Sequence, residues 1–365
     1  MSVTGQNLDS LLAKAAEQPR AISTDEMALL LSLSAPDDIN RLYSAAHSIK
    51  LRCCGIGVSV RGLVEAGNVC AKDCLYCGIR KSNSSIQRYS LTTDEIVAAA
   101  EESKALGYAS LVIQSGEIES ETHTRFIEEV LHRIAHLDLG VTLSLGEQTE
   151  ETYARWREAG ATRYLLRIET SNPTLYAALH PAECSWRRRV ECLRSLRRTG
   201  YQVGTGVMCA LPGQGMHDLA RDIEFYGELD ADMIGMGPYI PHPDTPLASS
   251  APELPKAERL ALGLKMIAVT RLYLHDVNIA AATALQALAD DGREQGVMAG
   301  ANVIMPNVTE TRFRRAYQLY AGKPCLDEQA SLCRMCLERR LASVGEKLLF
   351  GQRGDSPHYH RRTGT

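Results

Sequence analysis

The sequence lacks an excess of charge of either sign. Its 40 lysines and arginines stand against 44 aspartates and glutamates, giving a formal net charge of −4, so no basic field is available to attract nucleic acid or an anionic membrane. The chain also lacks an apolar run as long as a membrane span. Its N-terminus lacks the basic region and apolar core of a signal peptide. We therefore expect a cytoplasmic protein with neither a nucleic-acid nor a membrane partner.

The number of cysteines and the length of the chain exclude a disulfide framework. The chain has eleven cysteines, an odd number, in 365 residues, and it is far too large for a disulfide-stapled miniprotein. Clustered cysteines in such a chain indicate metal binding instead. The tightest cluster is Cys70, Cys74 and Cys77, whose C-x3-C-x2-C spacing is one ligand short of an ordinary four-cysteine cluster. Three thiolates on one loop can hold three irons of a 4Fe–4S cube and leave the fourth open to another ligand.

Two neighbours make this loop more specific. Tyr76 precedes the last cysteine and Gly78 follows it, and with them the loop resembles the signature of the radical S-adenosylmethionine (SAM) superfamily. The resemblance implies a 4Fe–4S cluster with SAM at its open iron. The other interpretations are a structural zinc site and three unligated core cysteines. Zinc would need a fourth cysteine or histidine, and none is adjacent.

Apolar runs alternate with helical stretches along most of the chain. Two helical segments come first, at 7–17 and 24–50. Eight short apolar runs, typical of strands buried on both faces, lie at 58–67, 110–116, 141–146, 164–169, 202–210, 233–239, 278–285 and 302–306. Eight β/α units predict an α/β fold of the (β/α)8 TIM-barrel type, with the cysteine loop after the first strand at the carboxyl end of the barrel. A long helical segment at 254–274 breaks the spacing, so periodicity alone leaves the sixth to eighth strands open.

The predicted organisation has four parts. An N-terminal helical segment covers 1–50 and the barrel 51–310. A cysteine-containing extension covers 311–350, and a disordered tail covers 351–365. His358 and His360 lie in that tail, and we do not interpret them as a metal site.

The second strand runs into Gln114, Ser115, Gly116 and Glu117. In radical SAM proteins a Gly-Gly-Glu turn at this point accepts the ammonium group of SAM, and Ser-Gly-Glu is similar to it. Glycine allows close backbone approach, and backbone oxygens with a carboxylate are acceptors for a cation. Taken alone, the tripeptide is more often an ordinary turn.

Further polar residues lie on the third and fourth strands. Thr142 and Ser144 share one strand face, where they line either a cavity or a satisfied polar layer. Arg167 and Glu169 are two residues apart, so they either pair structurally or meet a charged ligand such as SAM. Arg189 belongs to a run of three arginines that would usually form a solvated face.

A second cysteine group, Cys325, Cys333 and Cys336, lies beyond the eighth strand. Its spacing suggests an auxiliary 2Fe–2S or 4Fe–4S cluster, with zinc as a rival because Cys-x2-Cys suits both metals. The other cysteines are most simply buried hydrophobes, although Cys209 lies on a predicted barrel strand; they are Cys53, Cys54, Cys184, Cys192 and Cys209.

Within the superfamily, residues 20–350 resemble the HydE family of FeFe-hydrogenase maturases. The motifs that carry this resemblance are Arg61-Gly-Leu-Val-Glu65, Thr142-Leu-Ser-Leu-Gly-Glu147, Arg163-Tyr-Leu-Leu-Arg-Ile-Glu-Thr170, Leu211-Pro-Gly-Gln214, and the segments 235–246 and 300–306. The second cysteine group matches, in spacing, an auxiliary cluster of many such maturases.

The resemblance implies a function. The family cleaves SAM reductively to a 5′-deoxyadenosyl radical, which acts on an iron–carbonyl–cyanide–cysteine synthon to build a diiron precursor. The implied partners are a ferredoxin or flavodoxin as electron donor, a small organometallic or amino-acid-derived substrate, and other hydrogenase maturases. The implied cofactor contacts are Tyr76 near adenine, with Gln114, Ser115, Gly116, Glu117, Ser144, Glu169 and Arg189; the implied substrate contacts are Thr142, Arg167, Thr283 and Tyr320.

Two positions depart from the family pattern. Ile168 stands where a histidine is expected, and it should face away from the cavity if Arg167 and Glu169 face it. Ala282 stands where the first of two threonines is expected, which removes a hydroxyl beside Thr283.

Other functions stay open from the sequence alone. Methylornithine synthase and biotin synthase share the barrel and the signature loop. The first lacks the C-terminal cysteines, and the second places auxiliary ligands inside the barrel, where here only Cys209 is available. A non-catalytic iron–sulfur carrier is a further alternative, disfavoured by the Ser-Gly-Glu turn and the Arg167/Glu169 pair.

Overall fold

The computed structural model describes residues 5–250 and 254–364. Its strands are short and mostly buried. They are β1 Gly57–Val60, β2 Gly62–Gly67, β3 Ser110–Ser115, β4 Gly140–Ser144, β5 Ala161–Leu165, β6 Gln202–Thr205, β7 Met208–Cys209, β8 Met233–Ile234, β9 Gly237–Pro238, β10 Asn278–Ile279, β11 Val303–Ile304 and β12 Lys347–Leu349.

The strands form a parallel barrel. One sheet has the order β10-β8-β6-β5-β4-β3-β2, and β1 pairs with β11 in a second sheet. Parallel bridges from Ala280 to Val303 and from Leu63 to Asn307 join the ends of the first sheet through the β11 segment. The predicted (β/α)8 TIM-type architecture is confirmed.

The boundaries of five predicted strands differ in the structure, and the first of them, at 58–67, is divided into β1 and β2. The fifth and sixth predicted strands are each interrupted, so that β7 and β9 form a separate parallel pair beyond β6 and β8. At this break Gly206 approaches the next strand so closely that a Cβ there would lie 2.2 Å from the Gly235 carbonyl oxygen. The fourth strand begins earlier than predicted, at Ala161. The seventh is much shorter than predicted, because a helix begins at Thr283.

Helices alternate with the strands and surround the barrel. They are α1 Gly5–Glu17, α2 Thr24–Leu31, α3 Pro36–Cys54, α4 Thr93–Ala105, α5 Glu121–Ile134, α6 Glu150–Glu158, α7 Pro173–Leu179, α8 Trp186–Arg198, α9 Met216–Glu228, α10 Pro246–Ser250, α11 Lys256–Leu274, α12 Thr283–Leu288, α13 Gly292–Met298, α14 Thr311–Arg314, α15 Ala330–Ser343 and α16 Pro357–Thr363, with a 3-10 turn at Ala135–Leu137. None of the described helices is both long and apolar enough to cross a membrane.

Local signals explain several helix ends. A capping box begins α4, with the Thr92 hydroxyl accepting from the Glu95 amide and the Glu95 carboxylate accepting from the Thr92 amide. The single helix predicted at 24–50 is wrong: α2 ends at Leu31 and α3 begins at Pro36, whose ring suits the first turn of a helix.

The prediction of a disordered tail at 351–365 is also wrong for the described residues. β12 pairs with β1, and α16 follows. The Gly354 carbonyl oxygen accepts hydrogen bonds from Arg61 at 3.1 Å and Asn278 at 3.0 Å, and Asp355 pairs with Arg163. This segment lies across the amino-terminal end of the barrel, because Arg61 and Asn278 stand at or before the beginning of their strands.

Candidate functional site

The cysteine loop follows β2, and the side chain of Arg88 stabilises it by binding its backbone carbonyl oxygens. The Arg88 guanidinium donates to the carbonyl oxygens of Asn68, Ile79, Arg80 and Asn83 at 2.5–2.9 Å. The Arg88 guanidinium thus connects the two ends of the cysteine loop, which lacks regular secondary structure of its own.

Backbone amides point at the cysteine sulfurs. The Cys70 Sγ accepts from the Glu117 amide at 3.3 Å, and the amide of Ile79 hydrogen-bonds to the sulfur of Cys77. Burial raises the pKa of Cys70, and it raises the pKa of Cys77 to about 12. Iron binding must therefore displace protons from these thiols, and the amide donors stabilise the thiolates once formed.

The turn after β3 lies against this loop. A Cβ on Gly116 would stand 2.2 Å from the Val69 carbonyl oxygen and 2.8 Å from the Cys70 Cβ, so only glycine allows the contact. The Ala71 amide donates to the Glu117 carbonyl oxygen at 2.8 Å. The structure therefore brings the Ser-Gly-Glu turn and the first cysteine together.

The spacing of the three thiols fits a cluster better than a single ion. Among the described residues, the one group of three or more ligand atoms that all lie within 4.8 Å of one another is Cys325, Glu328 and Cys333. The sulfurs of Cys70, Cys74 and Cys77 are thus spread more widely, while each still influences the titration of another. Three half-buried thiols that are not gathered into one compact group, two of them with amide donors, suit three corners of a 4Fe–4S cube.

His180, which the sequence did not indicate as a site residue, contacts Tyr76, the aromatic residue of the cysteine loop. The Tyr76 phenol lies 3.1 Å from the Nε2 of His180, and the two rings meet edge to face with centroids 5.4 Å apart. The backbone joins them as well, since the Leu75 amide donates to the Leu179 carbonyl oxygen at 2.9 Å. The end of α7 therefore clamps the loop between its second and third cysteines.

A network of buried charges lies beside the loop. Glu147, with its side chain only 2% exposed, pairs with Arg189 at 2.7 Å and Lys72 at 3.4 Å. Glu117 pairs with Lys72 at 3.1 Å and lies 3.9 Å from Arg189. Burial raises the pKa of Glu117, with the Glu147 carboxylate acting in the same direction. Arg189 is buried here, so the usual solvated placement of an arginine run does not hold for it.

Arg167 and Glu169 lie just beyond β5 and form an ion pair of 3.0 Å. Glu169 has a φ of 66°, a left-handed conformation, and burial raises the pKa of its carboxyl. Ile168 between them is fully buried in the main core, as predicted. The Arg189 guanidinium donates to the Arg167 carbonyl oxygen at 3.4 Å, which links this pair to the charge network.

Polar side chains of the second and third strands lie next to each other. Gln114 and Ser144 are register partners across β3 and β4, and the Gln114 amide donates to the Tyr317 hydroxyl at 3.0 Å. Ser115 donates to the carbonyl oxygen of Gly116 at 2.7 Å. The Thr142 hydroxyl is buried and has no hydrogen-bond partner among the described residues, which is unusual for a buried polar group.

The other predicted substrate residues lie around a further arginine. Arg293 on α13 donates to the Thr283 hydroxyl at 3.0 Å. Burial raises the pKa of Tyr320, and the guanidinium groups of Arg293 and Arg167 act in the opposite direction. Ala282 precedes α12 without a side-chain cap. The structure thus adds Arg293 to Thr283, Tyr320 and Arg167.

The C-terminal cysteines come together only in part. Cys325 and Cys333 lie with Glu328 in the compact group described above. The Cys333 thiol hydrogen-bonds to Cys325, which lowers the pKa of Cys325 to about 7. Cys336 lies one helical turn further along α15 and outside that group, with Arg340 as a hydrogen-bond partner.

Five residues of this region were not found from the sequence: Lys72, Glu147, His180, Arg293 and Tyr317. Glu147 closes a motif that had been noted, and Lys72 lies inside the cysteine loop, so both had a local signal. The other three come from distant segments. No local pattern distinguishes them from ordinary buried side chains.

Known proteins resemble this chain in sequence. The model of the radical SAM superfamily matches residues 64–226. The FeFe hydrogenase maturase subunit HydE of Thermotoga maritima is 44% identical over 306 residues, which cover 84% of this chain and 86% of that protein. The 3-methylornithine synthase of Methanosarcina acetivorans is 27% identical and covers 78% of this chain and 79% of its own.

Two solved structures share the fold. Methylornithine synthase (PylB) superposes with a TM-score of 0.80 at 25% identity, over 93% of this chain and 98% of that one. The FeFe-hydrogenase maturase HydG of Carboxydothermus hydrogenoformans has a TM-score of 0.79 at 18% identity, over 94% of this chain and 80% of that one. The second likeness concerns the fold alone.

Proposed function

Because the chain belongs to the HydE family of FeFe-hydrogenase maturases, within the radical SAM superfamily, we propose a specific division of work among the residues of its barrel mouth. The chain is a radical SAM enzyme with a role in FeFe-hydrogenase maturation. The observation that carries the proposal is the contact of the cysteine loop with the Ser-Gly-Glu turn through Gly116.

Cys70, Cys74 and Cys77 hold a 4Fe–4S cluster through their thiolates. When bound, the reduced cluster and SAM together supply methionine and a 5′-deoxyadenosyl radical. The SAM contacts come from the cysteine loop, from three strand ends and from α8, and they are Tyr76, Gln114, Ser115, Gly116, Glu117, Ser144, Glu169 and Arg189. The Glu117 carboxylate already pairs with Lys72, so the backbone of that turn is the better acceptor for the ammonium group.

Thr142, Arg167, Thr283 and Tyr320 bind the substrate, and Arg293 joins them. Arg293 is buried and has no ion-pair partner among the described residues, which favours an anionic substrate because a buried cation without a counter-charge is costly. An iron–carbonyl–cyanide–cysteine synthon has that charge. The orphan hydroxyl of Thr142 is a donor for it.

The C-terminal cysteines hold an auxiliary cluster, of the 2Fe–2S or 4Fe–4S type. The neighbouring Cys325 and Cys333 sulfurs support this site, whereas Cys336 would have to turn from Arg340 to join it. A ferredoxin or flavodoxin delivers the electron, other maturases supply and receive the metal-bearing compounds, and the location is cytoplasmic.

The first test is anaerobic reduction of the iron-loaded chain with dithionite and SAM, with 5′-deoxyadenosine as the measured product. We expect product from the wild-type chain and none from Cys74→Ala. Cys333→Ala, the matched removal of a cysteine at the second site, should lower the iron content yet leave product formation within about threefold. Failure of the iron-loaded wild-type chain to form product would refute the proposed division of work.

The second test concerns the substrate. Arg293→Gln and Thr142→Val should leave 5′-deoxyadenosine formation without substrate unchanged. Each should lower affinity for the iron–carbonyl–cyanide–cysteine complex by about tenfold, the usual effect of losing one hydrogen bond to a charged group. Unchanged affinity in both variants would place the substrate elsewhere.

A further inference from the structure

His180 sits where α7 meets the cysteine loop, and both of its ring nitrogens have partners. The Nδ1 lies 2.8 Å from the Tyr176 carbonyl oxygen, and the Nε2 lies 3.1 Å from the Tyr76 hydroxyl. A carbonyl oxygen can only accept, so Nδ1 carries the proton. In the neutral ring Nε2 is then an acceptor, and the Tyr76 phenol donates to it.

The surroundings keep this ring neutral and fixed. His180 is 4% exposed, and its ring stacks on Tyr176 with centroids 3.9 Å apart. Burial lowers the pKa of His180 to about 4, with the Arg189 guanidinium acting in the same direction and the Glu147 carboxylate against it. His180 therefore keeps one tautomer throughout the pH range in which the enzyme is assayed.

Tyr76 depends on this contact. Among the described residues, His180 is the one hydrogen-bond partner recorded for its side chain. The Tyr76 ring packs against a small apolar cluster of Leu179, Met208, Leu211 and Tyr239 that is separate from the main core. Apolar packing leaves an aromatic ring free to tilt, whereas a hydrogen bond at its hydroxyl fixes the tilt.

We propose that His180 is a positioning residue, which accepts the Tyr76 hydroxyl proton and so orients the loop aromatic toward bound SAM. The proposal rests on the proposed placement of Tyr76 beside the cofactor. The His180 imidazole does not touch the reacting atoms. Its effect on catalysis passes through Tyr76, so it should appear in SAM binding rather than in bond cleavage.

The test is a double-mutant cycle on the iron-loaded full-length chain. Tyr76→Phe and His180→Leu should each raise the KM for SAM about 3- to 10-fold, the effect of one neutral hydrogen bond, with kcat unchanged. The double variant should be no worse than either single one. His180→Gln should restore most of the affinity, since its amide offers both a donor and an acceptor. The control is His123→Leu on α5, a histidine whose ring contacts are with Phe126 and Trp156, and its KM should equal that of the wild type.

Two results would overturn the proposal. One is multiplication of the two single effects in the double variant, which would show independent roles. The other is a fall in kcat at constant KM. If His180→Leu does not fold, the cycle uses His180→Gln instead, compared alone and together with Tyr76→Phe. A change in KM that His180→Gln causes in the wild type and again in the Tyr76→Phe variant would count against the proposal.

A spectroscopic readout separates this proposal from the proposed function. Nitrogen-15 shifts of labelled histidines, assigned with His180→Gln, should show a protonated Nδ1 and an acceptor Nε2 whether or not SAM is cleaved. A wild-type chain that shows this tautomer but forms no 5′-deoxyadenosine would refute the proposed function alone. An Nε2-protonated ring would refute the role of His180.

Discussion

Single residues of the same type behave very differently in the segment Arg187-Arg-Arg189. Arg187 is exposed, and Arg188 is half-exposed and pairs with Glu119 at 2.6 Å. Arg189 is buried and pairs with Glu147. The difference arises because α8 turns one face toward the barrel, and the third arginine of the run falls on that face. A buried guanidinium must be paired, and the network around Glu147 supplies its partner.

We predict that Arg189→Gln lowers the free energy of unfolding by about 3–5 kcal/mol, because it leaves the buried Glu147 without its closest counter-charge. Arg187→Gln on the same run should change it by less than about 0.5 kcal/mol. Denaturant titration of both variants measures this difference. Equal effects would mean that Lys72 and Arg188, which also lies 3.2 Å from Glu147, satisfy its carboxylate without Arg189.

At the residue scale, sequence reasoning succeeds where partners are near in the chain. The Arg167–Glu169 pair follows from a spacing of two residues. The Tyr76–His180 contact joins residues 104 positions apart, and nothing local in either segment indicates the other. Burial of Arg189 likewise depends on how α8 is rotated, which the sequence pattern near an arginine run does not specify.

Among the elements, α16 was the least expected. Its sequence is polar and short, so intrinsic propensity favours disorder. Its order comes from ion pairs with loops at the amino ends of strands. His358 pairs with Asp230 at 2.8 Å and with Asp276 at 3.4 Å, and Arg362 pairs with Asp232 at 3.1 Å. Such tertiary pairs outweigh local preference and have no signature in the segment itself.

The docking of α16 should depend on pH. Hydrogen bonds to Asp230 and Asp276 raise the pKa of His358 to about 9, above its ordinary 6.5. A raised folded-state pKa stabilises the fold fully below about pH 6.5, and the contribution disappears as the pH rises through 9. The stability difference between wild type and His358→Gln should therefore shrink between pH 6.5 and 9.5 in denaturant titrations. His136→Gln, which replaces an exposed histidine without an ion pair among the described residues, is the matched control. A constant difference for His358→Gln would contradict the assignment.

At the scale of the whole molecule, the eight-unit barrel was predictable because buried parallel strands appear as separate apolar runs. The closure of its amino-terminal end was not. Arg163 points into the barrel, and its guanidinium donates to the Arg353 carbonyl oxygen at 2.8 Å and pairs with Asp355. Arg163 of β5 and the C-terminal segment thus together close the amino-terminal end of the barrel. The apolar pattern of the strands does not indicate that this segment is the partner of Arg163.

Asp355→Asn should lower the free energy of unfolding by about 3 kcal/mol, the lower end for breaking a buried pair. Asp138→Asn provides the matched control, because Asp138 forms an exposed ion pair with Arg353 of the same segment. That change should cost less than about 1 kcal/mol. Comparable losses in both variants would show that the barrel base does not depend on the Arg163 pair.

The closed base of the barrel has a consequence for biosynthesis. Arg61 receives its carbonyl partner from a residue 293 positions later, and Arg163 receives one from 190 positions later. Until residues 353–355 have left the ribosome, both guanidinium groups lack these partners, and burying them unpaired is unfavourable. Since strands emerge from the N-terminus first, the nascent barrel stays hydrated at its base. Sealing of the interior then waits for the synthesis of this segment.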